Sequence, residues 1–138
     1  MLIGSFDQLL QAARAQGTPQ RLLLVFAGAE LDDEATPEQR TAFEAGHGGA
    51  LVPLMCVDKA PEEIADFIAL REESRAAGPD WAILFAAALS STVRSANVDV
   101  FDGQTITDHL NRMVEAIRRG TLDNLLAFDA DGHAVELG

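Results

Sequence analysis

The chain has 138 residues, 48% of them hydrophobic and 23% charged, which is one globular domain's worth and too apolar for a disordered or collagen-like polymer. Ten Lys and Arg stand against 22 Asp and Glu, a formal net charge of -12. Such a surface repels polyphosphate and anionic lipid, so no nucleic-acid or membrane partner is expected. The single cysteine, Cys56, excludes an internal disulfide and fits a reducing compartment.

Residues 1–6 carry no basic residue ahead of an apolar core, so a cleaved secretory signal is not expected. The longest apolar stretches, 22–29 and 81–89, fall well short of the roughly 20 residues that a membrane helix needs. A soluble, cytoplasmic protein is the expectation.

In chain order, Ser5 and Gln8 form a capping-box pattern. Phe6, Leu9, Leu10 and Ala13 then recur at helical spacing, until Gly17 and Pro19 end the segment. The continuous apolar run 22–27 predicts a strand buried on both faces. Thr36, Pro37 and Gln39 open a second, short helix with a thin apolar face, mainly Ala42 and Phe43. Gly46, His47, Gly48 and Gly49 break it. Residues 50–57 read as a second strand, and Pro53, which cannot donate a ladder hydrogen bond, marks an edge or a bulge.

Asp58 is the expected cap of a third helix, with Pro61, Glu62 and Glu63 in its first turn and Ile64, Phe67 and Ile68 as its buried stripe. Gly78 and Pro79 stop it. Residues 81–87 form a third apolar strand, and 90–104 a loop with a short extended piece at 98–101. A fourth helix carries Leu110, Met113, Val114 and Ile117 on one face, with Arg118, Arg119 and Gly120 at its end. Residues 125–128 and 134–137 flank the turn at Asp131 and Gly132 as a hairpin. The order α-β-α-β-α-β-α-β-β, over residues 1–138 as one domain, predicts an α/β sandwich of two or three layers. Its sheet is expected to be largely parallel, closed by a C-terminal antiparallel hairpin.

Residues 43–59 (Phe43 through Lys59), with Asp80-Trp81-Ala82 and Met113-Val114-Glu115-Ala116-Ile117, resemble a family of small proteobacterial proteins without an assigned activity. Some members carry the label ribonucleotide reductase subunit alpha. The resemblance spans most of the chain and implies no mechanism. Reductase chemistry of that kind needs several active-site cysteines and, in class I enzymes, radical-relaying tyrosines. One Cys, no Tyr and 138 residues exclude the catalytic reading of the label.

No catalytic residues, metal or cofactor are expected from motifs. Cys56 lies in an apolar strand without a second thiol, as a buried structural cysteine does. His47, His109 and His133 lack ligand spacing. The glycines at 46, 48 and 49 lead from helix to strand, the reverse of a phosphate loop. Glu30, Asp32, Asp33 and Glu34 lack the pattern of a calcium loop and read as a solvated run, and Asp129-Ala130-Asp131-Gly132 places its Gly too early for one.

Topology supplies the one ligand-site expectation. Parallel strands would bring Glu30 (beside Gly28 and Ala29), Asp58, Lys59, Ser90 and Ser91 to one crevice at their carboxyl ends. A small-molecule binder or enzyme would use that crevice. The preferred function is a non-catalytic module that binds a protein partner or itself, most simply as a homodimer, through an exposed sheet edge.

Overall fold

Leu22, Leu23, Leu24, Val25, Phe26 and Ala27 are each at most 1% exposed, so the apolar run is covered on both faces. A strand turns successive side chains to opposite sides. Leu22, Leu24 and Phe26 pack with Phe6, Leu10 and Phe67, whereas Leu23, Val25 and Ala27 pack with Ile106, Met113 and Ile117.

The structure, a computed structural model, describes residues 3–17, 19–30, 36–44, 50–90, 103–122 and 125–136, with the backbone alone at 29, 30, 42–44 and 50. The run lies in β1 (Gln20–Glu30). Around it stand α1 (Phe6–Arg14), α2 (Pro37–Glu44), β2 (Ala50–Lys59), a 3-10 turn (Pro61–Glu63), α3 (Phe67–Ala77), β3 (Ile83–Ser90), α4 (Gly103–Arg119) and β4 (Leu126–Phe128). The strands form one sheet in the order β2-β1-β3-β4. α1 and α3 cover one face and α4 the other, giving three layers.

Every neighbouring pair in the sheet is antiparallel, which corrects the expected, largely parallel arrangement. Alternation of helix and strand implies parallel strands only when each helix is a crossover lying on the sheet. β2–α3–β3 meets that condition: its two strands run parallel, with β1 between them. α2 and α4 instead join strands that pair antiparallel. Residues 37–41 of α2 are all exposed, as its thin apolar face foreshadows.

Most local signals operate as read. Ser5 Oγ accepts from the Gln8 backbone N–H at 3.2 Å, and Phe6, Leu9, Leu10 and Ala13 are the buried face of α1. The Thr36–Gln39 box closes in both directions, at 2.9 and 3.2 Å. The third helix differs. Asp66, not Asp58, caps α3, its Oδ1 accepting from the Ala69 N–H at 2.8 Å. Ile64 and Asp66 are extended, so the 3-10 turn and α3 do not share one helical phase. Ile64 and Phe67 are buried, but Ile68 is 55% exposed.

Trp81 precedes β3 rather than opening it and is buried. Its Nε1 donates to Ser74 Oγ at 2.8 Å, and its ring lies 5.1 Å from that of Phe26. α4 begins at Gly103, inside the stretch read as loop; residues 91–102, with the short piece expected at 98–101, lie outside the described residues. β4 pairs with β3, and the chain returns at Ala134 and Val135, where the Val135 N–H donates to the Ala127 carbonyl at 2.9 Å.

Among the described residues, two glycines sit at positive φ, Gly120 at 74° and Gly132 at 83°. A Cβ on Gly120 would meet open space, but one on Gly132 would come within 2.8 Å of the Phe67 ring. Gly120→Ala carries the backbone cost alone, about 1 kcal/mol. Gly132→Ala adds overpacking, for a total of about 3 kcal/mol. Urea unfolding followed by the fluorescence of Trp81, the one tryptophan in a chain without tyrosine, should show this order.

Candidate functional site

The antiparallel register separates the residues expected to share a crevice. Leu23 pairs with Asp58, and Gln20 with Ser90, at the start of β1. Glu30 is at the opposite end of that strand, its backbone paired with Ala50. Seven residues separate positions 23 and 30, roughly 23 Å along a strand. Ser91 lies outside the described residues.

Asp58 and Lys59 are adjacent in an edge strand and therefore face opposite sides of the sheet. Asp58 Oδ2 accepts from Arg21 Nε at 2.8 Å, and Arg21 Nη1 reaches Glu63 Oε1 at 3.1 Å. Lys59 Nζ is 2.8 Å from Glu73 Oε1 on α3. Gln20 Nε2 donates to Ser90 Oγ at 2.7 Å. Asp58, Lys59 and Ser90 thus each have a partner in the chain, and they do not converge with position 30. The antiparallel register therefore gives the expected carboxyl-end crevice no support. Asp58 is a structural ion-pair partner, about one-third exposed.

What the fold leaves open is the outer edge of β2. Among the described residues no strand pairs with it. Residues 50–57 contain no charged side chain. The register slips between Phe26 and Ala27, which pair with Met55 and Pro53, so Leu54 is an extra residue in a bulge. The edge and the bulge inferred from Pro53 are both present. Leu54 lies over Gly28, where a Cβ would approach its Cδ1 to 3.1 Å, yet it is 36% exposed. Cys56 is exposed as well, contrary to the buried thiol expected from its apolar neighbours, because an edge strand has a neighbour on one side only. Beside this edge, between β2 and α3, is a cavity of about 200 Å³ walled by Met55, Val57, Leu70 and Ala77.

Two other features lie away from this edge. Asp129, Asp131 and His133 bring ligand atoms within 4.8 Å of one another across the last turn. The alternation Asp-x-Asp-x-His around Gly132 was the available signal. Asp129 Oδ1 already accepts from the N–H groups of Asp131 and His133 at 2.9 and 3.0 Å. The Arg71 guanidinium also lies there, 3.8 Å from Asp131 Oδ1 and donating to the Ala130 carbonyl at 3.0 Å. A cavity of about 700 Å³ lies beside β4, and Glu136 is the ionisable residue among its described lining.

No helix among the described residues is long and apolar enough to cross a membrane. No family model, curated protein or solved structure matches the chain.

With Asp58 in an ion pair, Asp58→Asn should lower stability by about 0.5 kcal/mol, the usual worth of a partly exposed pair. A shift in urea midpoint of that size, lost in high salt, is the expected result.

Proposed function

We propose that this protein is a non-catalytic, self-associating module in which two β2 strands pair antiparallel across a two-fold axis. The observation that carries the reading is the outer edge of β2, which no strand among the described residues pairs, with no charge over residues 50–57 and with Leu54 and Cys56 exposed. An edge strand offers a row of backbone donors and acceptors that a second strand can satisfy, and apolar side chains beside it supply burial. The charges at the end of β2, Asp58 and Lys59, are neutralised within the chain. A two-fold axis uses the same surface on both copies, so no second patch is needed. The segment resembling the small proteobacterial family, residues 43–59, contains the whole of β2, and under this proposal members of that family share the pairing edge.

Sedimentation of the full chain should give a concentration-dependent species of twice 14.7 kDa. Two chains of charge -12 repel, so added salt should tighten association. Cys56→Lys puts a charge on the exposed edge and should weaken the dimer at least tenfold, about 1.4 kcal/mol, with the melting temperature of the monomer little changed. Because Cys56 is the single thiol, spin labels placed there report the register. Two-fold pairing anywhere within β2 centred on residues 53–57 puts the two Cα atoms within roughly 20 Å. A monomer at all concentrations, or a dimer that Cys56→Lys leaves intact, would overturn the proposal.

A further inference from the structure

Among the described residues, the lining of a groove on the α4 side of the sheet has a charge balance opposite to that of the chain. It has a volume of about 420 Å³ and lies between Ala87 of β3, His109, Arg112 and Met113 of α4, and Thr121 and Leu125 beyond the helix. No carboxylate is among its described lining residues, in a chain with 22 acidic side chains. A second recess of about 390 Å³ shares Arg112, Ala116 and Thr121 with the first and adds Arg119. Its one carboxylate, Glu115, is taken up by Arg118 and Arg119 at 3.5 and 3.9 Å.

His109 and Arg112 are three residues apart and so occupy one face of α4. Arg112 is exposed and, among the described residues, has no ion-pair or hydrogen-bond partner. Several other arginines are engaged: Arg14 with the Pro61 and Ile64 carbonyls, Arg21 with Asp58 and Glu63, and Arg71 with the Ala130 carbonyl. The floor beneath Arg112 is apolar, with Met113 buried and Ala87 and Leu125 half-buried.

We propose that this groove binds a small organic monocarboxylate with an apolar body. A guanidinium offers a planar fork of N–H donors that matches a carboxylate bidentately. His109 supplies a further polar contact at the rim. The hydrocarbon part of the ligand rests on Met113, Ala87 and Leu125. One unpaired guanidinium suits one negative charge; a phosphate dianion would need more cation and would gain nothing from the apolar floor. The groove shares no residue with β2, so this site stands or falls independently of the pairing edge.

The probe is phenylacetate, titrated into the full chain with acetate and inorganic phosphate as comparators and followed by amide and arginine-Nε chemical shifts. Saturable shifts are expected at residues 87, 109–116, 121 and 125, with phenylacetate held at least tenfold more tightly than acetate or phosphate. Arg112→Gln should weaken phenylacetate at least tenfold without moving the melting temperature, since the side chain is exposed. Arg75→Gln, an exposed arginine outside the groove, should leave binding unchanged. No saturable shift by about 20 mM phenylacetate, equal binding by Arg112→Gln, or phosphate binding as tightly as phenylacetate would each overturn the assignment.

Discussion

Double burial of β1 is the constraint from which the rest of the fold follows. Six consecutive apolar residues cannot be shielded by one helical layer, because alternate side chains leave the strand on opposite sides. One layer must come from α1 and α3, the other from α4, and both cores close on the same strand. The order β2-β1-β3-β4 keeps that strand in the interior and gives it a hydrogen-bonded neighbour on each side. The cost of centring the sheet on β1 is that β2 becomes an edge.

The antiparallel register also decides which polar groups meet. At the start of β1, Arg21, Asp58 and Glu63 share charge, while Lys59 crosses to Glu73 on the other face. A strand end whose successive residues point apart sends its charges to different partners, Asp58 to Arg21 and Lys59 to Glu73 of α3, instead of focusing them on one ligand. Cations are scarce in this chain, and packing uses several of them internally. The guanidinium of Arg112, left on the solvent side of α4 over an apolar floor, is for that reason the more informative charge.

Local chemistry was legible in the sequence where it depended on residues a few positions apart. The Ser5 and Thr36 caps, the buried faces of α1 and α4, the bulge at Pro53 and the turn at Gly132 all rest on such short-range terms. Strand direction was not legible, because the apolar run at 22–27 reports that two faces are covered and is silent on which way the neighbours run. Its best warning was the thin apolar face of α2: a helix with little to bury is a poor crossover. The extended step at Ile64 and Asp66 was hidden for a similar reason, since Pro61 and Asp66 each offer a helix start and the sequence does not rank them. The candidate crevice was derived from strand direction and not from any contact between its members, so the antiparallel sheet leaves it without support. The exposed edge survived, because Pro53 bears on hydrogen bonding alone.

An open edge of ten residues in a sheet is a hazard unless pairing terminates. Here the two edges are unequal. β4 has three residues, and the returning chain takes up part of its outer side through the Phe128–Ala134 bridge and the Val135 N–H. A chain with two open edges can add copies indefinitely, whereas a chain with one can pair only with the like edge of a second copy. The bulge at Leu54 and the missing N–H of Pro53 act in the same direction, since they interrupt the ladder near its centre and penalise flat stacking of many strands. Under the proposed pairing, a two-fold pair would satisfy the flanks of β2 and leave no equivalent edge exposed, so the asymmetry of the sheet would favour a closed dimer over a fibre.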